Sequence, residues 1–146
     1  MTSIPQRPHR PYAVVEYDPT WPAQFAAERD RLTPLFGDNL IIIEHIGSTS
    51  IEGMMAKPQI DILVVVHDLD EVTQTLDRFQ AAGYTPRGRE YVGNGDEYIT
   101  KDAPDGRRLF SIHVFATGHP QIQQYREFRD YLASHPEDRA RYIARK

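Results

Sequence analysis

Apolar positions recur along the chain with two different periods. Trp21, Phe25, Leu32 and Leu35 fall at helical spacing, and Gly37 is a natural stop, so a helix is predicted from about Trp21 to Gly37. It is fed by a short extended segment, Tyr12 to Tyr17, and by the turn Asp18-Pro19-Thr20-Trp21-Pro22, because proline suits a first helical turn. The β-branched run Leu40 to Ile46 reads as a strand. A second strand is predicted over Gln59 to His67, and its near-continuous apolar run after Asp61 indicates burial on both faces. The segment between them, Gly47 to Pro58, is a loop with room for one helical turn. It is too short for a helical crossover, so these two strands are not expected to form a simple βαβ unit.

Asp68-Leu69-Asp70-Glu71 has the form of a helix start, with an acid three positions after the cap. Leu69, Val72, Leu76 and Phe79 share one face of that helix, which should end at Gly83. Tyr84 to Lys101 reads as a hairpin or long loop closing in a strand over Glu97 to Lys101. After the turn signal Asp105-Gly106, Arg107 to Phe115 alternates as a third strong strand. Gly118-His119-Pro120 opens a helix to about Ser134, and His135-Pro136 breaks it ahead of a last short helix to Lys146. Trp21, Phe25, Phe79, Tyr125 and Phe128 are expected in the core, and Arg126-Glu127 with Arg129-Asp130 on a solvated helix face. The pattern describes an α+β domain, a small mixed β-sheet with helices packed mainly on one face.

Composition narrows the function classes. A chain of 146 residues is one domain in size, and 40% hydrophobic residues suffice for a core. Residues 1–11 carry three prolines and read as a flexible N-terminal arm, leaving 12–146 as a single domain. The absence of cysteine excludes disulfides, thiolate metal sites and a cysteine nucleophile together. The net charge of −4, without aromatic-basic alternation, does not suggest a nucleic-acid surface. No run is long enough to cross a membrane and the first residues lack the apolar stretch of a secretory signal, so a cytoplasmic protein is expected.

The candidate chemistry lies between His45 and Asp61. A strand ends in Gly47-Ser48, three hydroxyl residues follow, and then come Lys57 and, on the next strand, Asp61. Gly47 permits close approach to the backbone. Ser48, Thr49 and the amides after them are suited to phosphate oxygens, as turns often are. Lys57 supplies a cation, and Asp61 is the oxygen ligand that Mg²⁺ or Mn²⁺ prefers. An acid inside an apolar strand needs a reason, either such a role or a partner such as Lys57 or an arginine. Strand alternation places Glu44 and His45 on opposite faces, so at most one of them faces the pocket. Arg107 and Arg108 open the third strong strand, where a guanidinium can clamp phosphate bidentately. His113 lies on the same strand, either as a functional imidazole or as a satisfied core histidine.

These residues carry a resemblance. Tyr17-Asp18-Pro19-Thr20-Trp21-Pro22 with Phe25 and Glu28, the core from Glu44 to Asp61, and Phe128-Arg129-Asp130-Tyr131-Leu132 with His135-Pro136, Tyr142 and Lys146 stand in an order that resembles the GrpB family. That family is a branch of the nucleotidyltransferase (DNA polymerase β-like) superfamily, and the likeness covers most of the chain. It implies a mixed-sheet palm in which a Gly-Ser turn precedes a strand with two acids one residue apart, and a third acid lies on a later strand. Divalent metal on those acids aligns a nucleotide for in-line transfer. Gly47, Ser48 and Asp61 match this pattern; the second acid is replaced by Leu63, and His113 stands where the third is sought. Residues two apart on a strand share a face, so Leu63 leaves the metal set incomplete. His113 would complete a different site with Asp61, one better suited to Mn²⁺ or Zn²⁺.

The expected function is therefore metal-assisted transfer of a nucleotidyl group to a small acceptor. Asp61 and His113 would be catalytic and metal-binding, and His45, Gly47, Ser48, Thr49, Lys57, Arg107 and Arg108 would bind substrate phosphate. The partner would be a phosphorylated small molecule or nucleotide. The alternative is a nucleotide- or anion-binding module without transfer chemistry, or a helper domain for another enzyme, since domains resembling GrpB also occur joined to dephospho-CoA kinase.

Overall fold

The computed structural model describes residues 14–89 and 95–138. Five strands form one mixed sheet in the order β1-β2-β5-β4-β3, with β1 Leu40–Ile46, β2 Ile60–Val66, β3 Thr85–Gly88, β4 Glu97–Asp102 and β5 Arg108–Ala116. Only β2 and β5 run parallel; the other pairs are antiparallel. The helices are α1 Trp21–Phe36, α2 Leu69–Gln74, α3 Leu76–Ala81 and α4 Pro120–Ser134.

Alternation along β2 builds two cores. Ile60, Ile62, Val64 and Val66 meet Trp21, Leu32 and Phe36 of α1, Leu69 and Val72 of α2 and Phe79 of α3. Leu63 and Val65 face the other way, against Ile46, Phe115 and Ile122 of α4. Three of the four helices thus cover one face, and the mixed sheet is the architecture expected from the pattern. Asp61 shares the α4 face with Leu63.

Three local expectations are corrected. The helix after Asp68 is two short helices that break at Thr75, whose φ of −119° and ψ of 22° leave the helical region. The Thr75 hydroxyl bonds back to the carbonyls of Glu71 and Val72, so it competes with the helix ladder at that point. Phe128 is 41% exposed rather than buried, because α4 presents Ile122, Tyr125 and Leu132 inward and Phe128 lies at the edge of that stripe. Arg126 and Arg129 are not on a solvated face. Both reach the carboxylate of Glu44 on β1, at 3.0 and 3.1 Å. The extended segment before α1 contributes an isolated antiparallel bridge, Val15 to Ala56. The N-terminal arm at 1–11 and most of the last short helix lie outside the described residues; 136–138 are helical. Among the described residues no helix is long and apolar enough to cross a membrane.

Candidate functional site

The β1–β2 register generates the site. Ile46 pairs with Asp61, so the next residue of β1's chain, Gly47, turns directly beside that carboxylate. Gly47 has φ 76° and ψ −174°, and a Cβ there would lie 2.5 Å from Asp61 Oδ2. The chain then closes a 3₁₀ turn over Ser48–Ser50, with the Ser50 amide donating to Gly47 O at 3.1 Å. The Val15–Ala56 bridge, with both amides donating at 2.9 and 3.0 Å, fixes the strand residue just before Lys57.

Gly47, Ser48, Thr49, Lys57, Gln59 and Asp61, with Ala56 behind them, line one cleft of about 280 Å³. The cleft is open to solvent, so a phosphate group can enter it while the rest of a ligand extends outside. From Gln59 at the cleft, a row of hydrogen bonds runs inward through the buried Ser111 and Tyr98. Gln59 Nε2 donates to Ser111 Oγ at 3.0 Å, Tyr98 and Ser111 hydroxyls are 2.9 Å apart, and Arg108 donates to the Tyr98 hydroxyl at 3.3 Å. Ser111 stands beside Asp61 in the parallel β2–β5 register.

Gly47→Ala is expected to lower stability by about 1 to 2 kcal/mol, because the turn holds this residue at a positive φ that a residue with a Cβ adopts only under strain, and the added Cβ must push Asp61 aside. Denaturant titration checks this; wild-type stability in the variant would show that the turn does not depend on close approach to Asp61.

The structure brings Gly47, Ser48, Thr49, Lys57 and Asp61 together, and it does not bring the other four candidates into the cleft. His45 lies on the α1 face, stacked on Phe25 with ring centroids 5.0 Å apart, and bonded through Nε2 to Thr49 Oγ1 at 2.9 Å. Burial first, and then the Arg129 cation, hold its pKa down to about 4, so at neutral pH it positions Thr49 as an uncharged ring and does not attract phosphate. Arg107 is exposed and bonded to Asp105. Arg108 is paired with Asp102 at 3.2 Å and reaches the row only through Tyr98.

His113 pairs across the sheet with Leu63, not with Asp61. Its Nδ1 lies 2.8 Å from Asp96 Oδ2, and its ring sits between Tyr98 and Tyr125, with centroids 4.9 and 5.5 Å away. Among the described residues no group of three or more His, Asp or Glu side chains is arranged to hold a metal ion. A metal centre of protein groups alone, shared by Asp61 and His113, does not fit this arrangement. Asp96, Gln59 and Tyr98 carried no signal in the sequence. Asp96 follows a glycine in a long loop, and only the β4–β5 pairing sets it against His113.

Comparison with known proteins agrees with this architecture. The family model described as GrpB protein matches residues 11–146. The chain is 37% identical to the UPF0157 protein YqkA of Bacillus subtilis over 95% of its own length, but spans 40% of that relative. It is also 37% identical to the UPF0157 protein BH1888 of Halalkalibacterium halodurans, covering 93% of this chain and 68% of the relative. A protein named dephospho-CoA kinase in Mycobacterium tuberculosis is 31% identical over 93% of this chain, which spans 39% of that kinase. The crystal structure of the conserved protein GrpB from Enterococcus faecalis superposes with a TM-score of 0.82 at 32% identity, covering 89% of this chain and 78% of that one. With a family model matching nearly its whole length and a sheet shared with a solved member, this chain belongs to the GrpB family.

Proposed function

We propose that the cleft binds the phosphate groups of a nucleotide or nucleotide-containing coenzyme, with the Ser48–Ser50 turn and Lys57 as phosphate contacts. The observation that supports this reading is the convergence of a glycine-led turn, a lysine and one carboxylate on one open cleft. The coenzyme class is suggested by the mycobacterial relatives named dephospho-CoA kinase.

An arrangement of two metal ions does not fit these residues. Leu63, at the position of a second acid, is fully buried against Ile46, Val65 and Phe115. A single Mg²⁺ or Mn²⁺ arriving on the ligand's phosphates does fit, since such ions are commonly held by one or two carboxylates plus phosphates. Asp61 would be its protein ligand. A carboxylate and a phosphate in one cleft repel each other unless a cation lies between them, and this makes the reading testable.

Binding of pyrophosphate and ATP is measured by calorimetry with and without Mg²⁺. Lys57→Ala should weaken both by about tenfold, the loss of one charge-assisted contact. Asp61→Asn should bind more tightly than wild type without Mg²⁺ and gain less from adding it. Pyrophosphate affinity unchanged by Lys57→Ala would remove the phosphate site from this cleft.

A further inference from the structure

We propose that Gln59 is a specificity-determining residue of the cleft: its side-chain carbonyl accepts a hydrogen bond from a hydroxyl that the ligand carries a few bonds from its phosphate. The inference rests on the phosphate reading of the cleft and adds to it the kind of phosphate ester the cleft prefers.

The backbone sets Gln59 beside the phosphate contacts. Its amide donates to the Lys57 carbonyl at 2.7 Å, closing a three-residue turn around Pro58. Proline fixes its own φ, so Lys57 and Gln59 leave this turn in a set relation. Gln59 and Asp61 flank Ile60, whose side chain is buried in the α1 core, and both line the cleft.

The hydrogen-bond row then orients the side-chain amide. A guanidinium only donates, so the Tyr98 oxygen accepts from Arg108 and the Tyr98 hydroxyl proton is available to Ser111 Oγ. Gln59 Nε2 donates to the same Ser111 oxygen at 3.0 Å. Ser111 is 1% exposed, so this end of the amide points inward. The amide is planar with its nitrogen and oxygen at opposite ends, which leaves Oε1 on the cleft side. No group among the described residues donates to Oε1.

An ionised phosphate oxygen is itself an acceptor, so Oε1 has nothing to offer it and needs an O–H or N–H from elsewhere on the ligand. A hydroxyl suits the neutral amide, whereas an ammonium is matched by the Asp61 carboxylate two residues on. The hydroxyl needs no space over Ser111 or Tyr98, since Oε1 is reached from the open cleft. Gln59 is partly buried, so water can replace a missing hydroxyl and the discrimination is modest.

The test titrates the isotope-labelled full chain with glycerol 3-phosphate and with methyl phosphate, both in Mg²⁺, and follows its amide resonances. Glycerol 3-phosphate is expected to bind about fivefold tighter, the usual net worth of one neutral hydrogen bond. Gln59→Met keeps the length of the side chain without the amide and should abolish that preference. Gln59→Glu returns an acceptor and should restore it, while its charge weakens both esters. A packing defect alone would weaken both esters together and leave their ratio as it was. Equal affinity of the wild type for the two esters, or an unchanged ratio in Gln59→Met, overturns the proposal and leaves the cleft reading intact. Phosphoethanolamine binding tighter than glycerol 3-phosphate also overturns it, since the donor then belongs to Asp61. If neither ester binds, the cleft reading fails and this inference falls with it.

Discussion

Glu28→Ala is expected to lower the folding free energy by about 3 kcal/mol, the usual loss when one partner of a buried ionic network is removed. Glu28 sits in α1 with no exposed surface. Its carboxylate accepts from Arg31 at 2.9 Å, from Lys101 Nζ at 3.2 Å and from the Tyr84 hydroxyl. Arg31 is mostly solvated, so its share is small. Lys101 is not, since it lies over the rings of Tyr84 and Phe110 at 5.4 and 5.9 Å. Burial, followed by the bond to Glu28, pushes the Tyr84 phenol's pKa well up, so its proton stays in place and needs an acceptor. Alanine would leave that hydroxyl and the ammonium beneath α1 without one. Glu28→Gln retains an acceptor for Tyr84 and should cost less than alanine. Urea titration of both variants checks the order. A loss below about 1 kcal/mol for alanine would mean that water replaces the carboxylate, as at an ordinary surface ion pair. Because the network lies on the α1 face, phosphate binding in the surviving folded fraction should not change.

The second large effect is acid destabilisation through His45. Its folded pKa, about 4, lies below the ordinary value of 6.5 because burial and Arg129 both oppose the charged ring. Between those two values the unfolded chain takes up a proton that the folded one refuses, so stability falls as pH falls across that window. Above about pH 6.5 both states are neutral there and His45 contributes no slope, and below about pH 4 the penalty is complete. Allowing for the partial exposure of the ring, the loss is about 2 to 3 kcal/mol. His45→Gln should remove that part of the slope while its amide can still meet Thr49. Urea midpoints for both proteins from pH 7.5 to 4 check this. Parallel curves would show that the ring is free to charge in the folded state.

His45 also shows why the pattern was legible only to a point. Alternation predicts that His45 and Glu44 point to opposite faces, and they do. Which face holds the cleft depends on the strand pairing, and Ile46 opposite Asp61 puts the cleft on Glu44's side. The histidine nearest the Gly-Ser turn in sequence is therefore behind the sheet, while His113, far away in sequence, shares the face with Asp61. The two arginines of α4 show a similar limit. Composition reads Arg126 and Arg129 as solvated, and only the crossing of α4 over β1 sets them on Glu44.

The hydrophobic periods by themselves determined α1, α4 and the strong strands, because backbone geometry imposes periods of about 3.6 and 2 on any chain that buries one side. The spacing from Gly47 to Asp61 likewise lies within a single strand-loop-strand unit, where local register brings the two together. Tertiary structure decided the rest: which face α4 covers, that Asp96 meets His113, and that Gln59, Ser111, Tyr98 and Arg108 join into one row. Those contacts link segments distant along the chain. Their partners are chosen by strand order and helix crossing, which no local pattern encodes.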